Sequence, residues 1–326
     1  MSGQKSAPYV KREVEESIFR QMNTALAPLS ANLLSGHDEP KLPSVFIVGC
    51  QRSGTTLLVQ MLASTRLFGY ISNVAARFWE SPVVGAVLQA ALDGGFGERK
   101  EFSSDLGFTK DCLEPHEASY FWKRWFQLPG THRMTPETLN QVNWQGLRQE
   151  LAALQHYFGG LPLVFKNPIY HDFHISELAR EIPHSRFLFI ERDPTYIIQS
   201  TLESAKRYYA SGDGWFGPIP PGTEGIAYTS PLERVADQVF KTHAFIESSL
   251  STLDSSRYMK LSYESLVADM KGVTRELLAF CLAGTEVAVP ELDWPAARDG
   301  NKARGSNAEM DVIRQMWSSV SERGGL

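Results

Sequence analysis

The stretch VFIVGCQRSGTT, Val45–Thr56, has residue types and spacing suited to holding an anion. Gly49 and Gly54 keep the G-x-x-x-x-G spacing of a phosphate-binding loop, with an apolar strand before it and a helical pattern (Leu57, Leu58, Met61, Leu62) after it. Gly49 lets the chain turn sharply, and Gly54 lets the backbone approach a ligand closely. The amides of Ser53, Gly54, Thr55 and Thr56 then point outward at a helix N-terminus, where the peptide dipoles favour negative charge. The hydroxyls of Ser53, Thr55 and Thr56 add donors. Nucleoside triphosphatases place Lys and Ser/Thr after the second glycine; here Thr55 and Thr56 stand there, and the charge is Arg52, inside the loop. A triphosphate with Mg²⁺ needs that lysine, so the loop suits a different anion. The plain alternative is an ordinary βα turn that carries two glycines.

A second cluster is RFLFIERDPTYIIQS, Arg186–Ser200. The strand pattern ends at Ile190, Arg192 emerges from its end, Asp193 is suited to cap the next helix, and Pro194 suits its first turn. Ile198, Leu202, Ala205 and Tyr209 make an apolar stripe that leaves Ser200 on another face. Ligands of open α/β sheets bind outside the carboxyl ends of strands, so Arg192 and the loop meet if their strands are neighbours. A surface arginine beside its capping aspartate is the alternative. Three residues are candidates for proton transfer. His116 and Glu117 in LEPHEASYFWKRWF stand at the start of an aromatic-rich helical pattern, and His171 follows Lys166 in FKNPIYHDFH. A hydrogen-bonded structural role is the alternative for each. His171 and His174, three apart and without a third ligand, do not make a metal site.

The two stretches together resemble sulfotransferases that use 3′-phosphoadenosine 5′-phosphosulfate (PAPS). The resemblance covers about residues 44–66 and 162–282. It implies that Arg52, Ser53, Gly54, Thr55 and Thr56 hold the 5′-phosphosulfate, and that Arg192 and Ser200 hold the 3′-phosphate. Cytosolic members carry lysine where Arg52 stands, so the loop is more similar to the bacterial and Golgi-type branches. Tyr263 and Glu264 in RYMKLSYESLVADM resemble a Y-E/D pair on the nucleotide side. Lys302 and Arg304 in NKARGSN are loosely similar to a late basic, glycine-containing loop that closes over the 3′-phosphate. Some branches take the base from a glutamate of the insert, which puts Glu117 ahead of His116 and His171. The implied reaction moves a sulfuryl group from PAPS to a hydroxyl, or an amine, of a small-molecule or carbohydrate acceptor. It releases adenosine 3′,5′-bisphosphate and needs no metal. The rivals are a Mg²⁺-dependent P-loop small-molecule kinase and a nucleotide-binding module without turnover.

These residues must be positioned by an α/β fold. Strand patterns at Val45–Val48, Leu163–Phe165, Arg186–Ile190 and Arg257–Leu261 alternate with helical ones near 172–182, 194–210 and 231–252. The alternation predicts a P-loop-like, mainly parallel sheet flanked by helices, in a single domain spanning residues 1–326. A helical insert, residues 67–160, separates the first and second core strands, with helices near 75–92, 115–127 and 136–158 joined by segments such as DGGFGERK. Residues 1–43 are an arm and linker; Val10, Val14, Ile18, Met22 and Leu26 are spaced to pack a helix over 9–34 on the core, with Pro28 interrupting it. Residues 211–231 form a Gly/Pro-rich loop of a length common in lids. At 326 residues with a net charge of −5, the chain lacks the basic balance of a nucleic-acid binder. Three scattered cysteines, no apolar leader and no apolar run of ~18 residues point to a cytoplasmic protein with no membrane span.

Overall fold

The run SVFIV is apolar at nearly every position because both faces of the strand it forms are covered. The computed structural model describes residues 4–93, 102–212, 214–289 and 299–324. Its sheet has four parallel strands, β1 (Ser44–Val48), β2 (Leu163–Lys166), β3 (Ser185–Glu191) and β4 (Tyr258–Ser262), in the order β2-β1-β3-β4. Register pairs Ser44 with Leu163 on one side and with Ser185 on the other, so β1 and β3 end side by side.

Thirteen helices are described: α1 (Glu13–Leu34), α2 (Thr55–Ser64), α3 (Pro82–Asp93), α4 (Ser119–Trp125), α5 (Pro136–Leu139), α6 (Trp144–Tyr157), α7 (Pro168–His171), α8 (Ile175–Glu181), α9 (Pro194–Tyr208), α10 (Pro231–Ser251), α11 (Tyr263–Ala268), α12 (Met270–Cys281) and α13 (Asn307–Gly324). Alternation along the strands splits the core in two. Phe46, Phe165, Phe187 and Phe189 face one side, where they pack with Phe121 and Trp122 of α4 and with α6 and α8. Val45, Ile47, Val164, Leu188 and Ile190 face the other, against α2, α11 and α12. Trp122 is fully buried, edge-on to Phe165 and His171, so the insert's aromatics serve as core.

Several expected elements are corrected. α1 starts at Glu13 and runs unbroken through Pro28. The first part of the expected stripe faces outward: Val10, just before the helix, and Val14 and Ile18 in it are 57%, 71% and 57% exposed, and Met22 and Leu26 are half-buried, while Glu16, Asn23 and Ser30 are buried. Specific polar contacts decide this. Asn23 donates to the Arg77 carbonyl at 2.8 Å and accepts from the Glu80 amide at 2.8 Å, and the Tyr120 hydroxyl donates to Glu16. The helix expected over 115–127 is only α4, because Ala118 takes a left-handed φ of 51° just before it. Glu117 and His116 therefore sit in a loop. The pattern over 136–158 divides into α5 and α6; that over 172–182 is α8, and the short α7 precedes it. Most of the DGGFGERK join, residues 94–100, lies outside the described residues.

Behind the sheet, His174 is buried with both ring nitrogens engaged: Nδ1 on the Tyr170 carbonyl (3.0 Å) and Nε2 accepting from the Met134 amide (3.1 Å). That pattern requires the neutral ring, and burial pulls its pKa down to about 4 from 6.5. The unfolded chain takes up this proton below 6.5 and the folded chain does not, so this contribution is lost as pH falls from 6.5 towards 4.

Two predictions follow from this packing. A Cβ on Gly49 (φ 151°) would lie 2.6 Å from the Ile190 carbonyl oxygen, so Gly49→Ala forces β1 from β3 and should destabilise by about 1–3 kcal/mol in urea unfolding. Equal unfolding midpoints for the two proteins would show that the β1–β3 contact is slack. His174→Gln should make stability fall less steeply between pH 6.5 and 4, by up to about 1.4 kcal/mol per pH unit. Buried Asp172, whose carboxyl is raised by burial and so acts with the opposite sign, is common to both proteins and cancels from the comparison.

Candidate active site

All four strands end on one edge of the sheet, and the chemically interesting residues leave from it. After β1 the chain turns at Gly49, whose amide donates to the buried Asp172 carboxyl (3.3 Å). Arg52 has a left-handed φ of 68°, an uncommon conformation for a side-chain-bearing residue. Gly54, at φ 110°, caps α2, and a Cβ there would lie 2.7 Å from the Tyr263 ring at the end of β4. The loop is thus clamped between two strand ends, with the α2 N-terminus opening into a cavity of about 910 Å³.

The two sequence clusters meet here. Arg192 Nη1 donates to the Arg52 carbonyl at 2.8 Å, and Arg52 Nε donates to Ser200 Oγ at 3.0 Å. Arg192 also donates to the Gly300 carbonyl and to Asn301 Oδ1 (2.7 Å each), with its guanidinium 4.5 Å over the Tyr263 ring. Tyr263 accepts from the Gly300 amide (2.8 Å). Glu264 accepts from Asn301 Nδ2 (2.7 Å) and the Asp193 amide (3.2 Å). Among the described residues no carboxylate pairs with Arg52. Burial, then the neighbouring Arg192 and Arg304, pull its pKa down to about 10. A cation strained in this way favours an anionic ligand.

The insert supplies the other wall. The turn Asp105–Phe108 lays Gly107 (φ 91°) across the loop, where the Gly107 carbonyl accepts from Thr56 Oγ1 at 3.3 Å. A Cβ on Gly107 would lie 3.6 Å from Thr56 Oγ1, 3.8 Å from Arg52 Nη1 and 4.0 Å from Lys166 Nζ, so the Gly107 turn packs against all three side chains. Lys166, buried at the end of β2, is paired with the Glu117 carboxylate. Asn167 holds the Glu117 loop through the Glu117 carbonyl (2.8 Å) and Ser119 Oγ (3.2 Å).

The cavity lining gathers Arg52, Gly54, Thr55, Thr56, Glu117, Arg192, Ser200, Tyr263 and Arg304. Arg304 is also paired with Glu203 at 2.6 Å. Four expected site residues are not in that lining. The Ser53 hydroxyl is fully buried beneath the loop, without a partner. His116 is an exposed residue outside that lining, its Nδ1 accepting from the Ala118 amide (2.8 Å). Lys302 is exposed. His171 is fully buried against Phe46 and Trp122, and burial holds it neutral. Of the three base candidates, only Glu117 reaches the cavity. The sequence reading gave no role to Lys166, Gly107, Asn301 or His132, which the fold brings to this edge. A lysine at a strand end was the visible signal for the first; the others arrive through tertiary contacts alone.

Comparison with known proteins agrees with this geometry. The sulfotransferase family model matches residues 43–286. The omega-hydroxy-beta-dihydromenaquinone-9 sulfotransferase Stf3 of Mycobacterium bovis is 23% identical over 314 residues, spanning 87% of this chain and 75% of that protein. The Stf3 of Mycobacterium tuberculosis matches to the same extent. Among solved structures, sulfotransferase STF9 from Mycobacterium avium aligns with a TM-score of 0.52 at 14% identity, over 91% of this chain and 72% of that one. STF1 from Mycobacterium tuberculosis aligns with a TM-score of 0.51 at 14% identity, over 94% and 81%. At that identity the solved structures speak for the fold, whereas the family model spans most of the chain. The chain belongs to the sulfotransferase family.

Proposed function

We propose that this protein transfers a sulfuryl group from PAPS to a hydroxyl of a small-molecule acceptor. The observation that carries the reading is the grouping of Arg52, Arg192 and Ser200 at the α2 N-terminus, with Lys166 and its partner Glu117 lining the same cavity. Arg52, Lys166 and the Thr55 and Thr56 hydroxyls that line this cavity suit the phosphosulfate end of the donor, and the α2 amides extend the cradle. The unpaired charge of Arg52 and the αL turn at Gly54 fit such a group. Arg192, Ser200 and Tyr263 suit the 3′-phosphate and adenosine side, with Arg304 at its rim. The mycobacterial relatives are named for a hydroxylated menaquinone, which supports a hydroxyl acceptor of small-molecule size.

The donor supplies the activated sulfuryl group; the chain's residues do the rest. Glu117 takes the proton from the attacking hydroxyl, and Lys166 holds that carboxylate toward the reacting centre. Arg52 and Lys166 lie where negative charge grows on the departing phosphate, and preorganised cations stabilise such charge more than bulk water does. Arg192 keeps Arg52 in place through the loop carbonyl.

Calorimetry should show binding of adenosine 3′,5′-bisphosphate without Mg²⁺, and tighter binding than ATP with or without it. Preference for ATP with Mg²⁺ would turn the assignment to a kinase. Arg192→Ala should weaken the bisphosphate by about 10- to 100-fold, and adenosine 5′-monophosphate much less, at the ~1.5–3 kcal/mol of a charged hydrogen bond. An equal loss for both nucleotides would confine Arg192 to bracing the loop. Glu117→Gln should lower kcat by about 10²- to 10⁴-fold while leaving bisphosphate affinity within a few-fold. Retained turnover in that variant would remove Glu117 as the base.

A further inference from the structure

The acceptor side of the site has its own physical character. Away from Arg52 and Lys166, the main cavity is walled by Phe102, Phe108, Tyr208, Trp215, Phe216 and Ile219. A second cavity of about 580 Å³ adjoins it between the 129–136 segment and the 215–224 loop. The two share Gly130, Trp215 and Ile219 in their linings. The walls are joined by a reciprocal pair of bonds: the His132 amide donates to the Ile219 carbonyl (2.8 Å), and the Ile219 amide donates to His132 Nδ1 (2.9 Å). Just before that seam stands Gly130, and a Cβ there would meet nothing within 4 Å. The second cavity presents Pro129, Met134, Pro136 and Pro221. Its two charged groups are engaged elsewhere, Arg133 with Glu177 (2.6 Å) and Glu224 with the Gly222 amide (2.8 Å).

Resting on the sulfotransferase reading above, we infer that the acceptor is an elongated, uncharged apolar alcohol. Its hydroxyl lies at Glu117, its body runs along the aromatic wall, and its tail passes Gly130 into the second cavity. An apolar tail is favoured because the two charged groups of the second cavity, Arg133 and Glu224, already have partners, so a charged tail there would lose its hydration without compensation. A branched sugar would leave its hydroxyls facing aromatic and proline side chains. Gly130 sets acceptor length, because any side chain there projects into the open junction.

The test titrates a series of primary alkanols, butanol to dodecanol, into protein saturated with adenosine 3′,5′-bisphosphate. Affinity should rise by about fourfold per added methylene, the factor expected for burying it, until the tail fills the second cavity. Gly130→Phe should reduce the ratio of long- to short-alkanol affinity at least tenfold, with bisphosphate affinity kept; Gly130→Leu should fall between. A flat chain-length profile on bisphosphate-loaded native protein would overturn the inference and leave the sulfotransferase reading standing. An unchanged long-to-short ratio in folded Gly130→Phe would overturn the route past Gly130. If the bisphosphate itself did not bind, the parent reading would fall first, and the inference with it.

Discussion

The site depends on the guanidinium of Arg192 donating to the carbonyl of Arg52. That bond joins the end of β3 to the turn after β1 and holds Arg52 in a left-handed conformation that side-chain-bearing residues adopt at some strain. The same guanidinium fastens Gly300 and Asn301 and lies over Tyr263 after β4. One cation therefore coordinates three parts of the chain that are far apart in sequence. Parallel pairing makes this possible, because β1 and β3 run in the same direction and deliver both arginines to one edge.

Two guanidiniums this close, with burial lowering the pKa of each, form an electrostatically unsatisfied arrangement. The folded chain tolerates it through hydrogen bonds to carbonyls and to Ser200, which satisfy the donors without neutralising the charge. On the reading proposed above, the remaining positive potential is what an anionic ligand would relieve. Lys166 differs in being neutralised already, by Glu117.

How much of this was legible depended on whether a residue's task is local. The strands β1 to β4 and the loop Gly49–Thr56 could be read because apolar runs and glycine spacing are local consequences of burial and turning. The pairing of β1 with β3, stated only as a condition, is what brought Arg192 and Ser200 to Arg52. The α1 stripe misled because periodicity reports an apolar face, not which face a neighbour selects; Asn23 and Glu16 found partners on Arg77, Glu80 and Tyr120, and those bonds oriented the helix. His171 looked functional beside Lys166, but the short α7 turns it inward onto Phe46. Gly107 and Asn301 carried no signal, since each acts only on residues dozens of positions away.

The division of labour between core and insert follows from the same distinction. The sheet edge fixes the anion-binding groups within a few ångströms, because strand ends in register cannot move independently. The insert meets that edge through Thr56 to Gly107, Lys166 to Glu117 and Asn167 to the Glu117 loop, and it is tied to the 215–224 loop by His132 and Ile219. His174 connects the two layers: it is packed beneath the sheet, yet its ring holds the Met134 amide at the far end of the acceptor wall. A neutral imidazole in the core thus fixes part of the surface that selects the acceptor, and the proton that would unsettle it is kept out by burial.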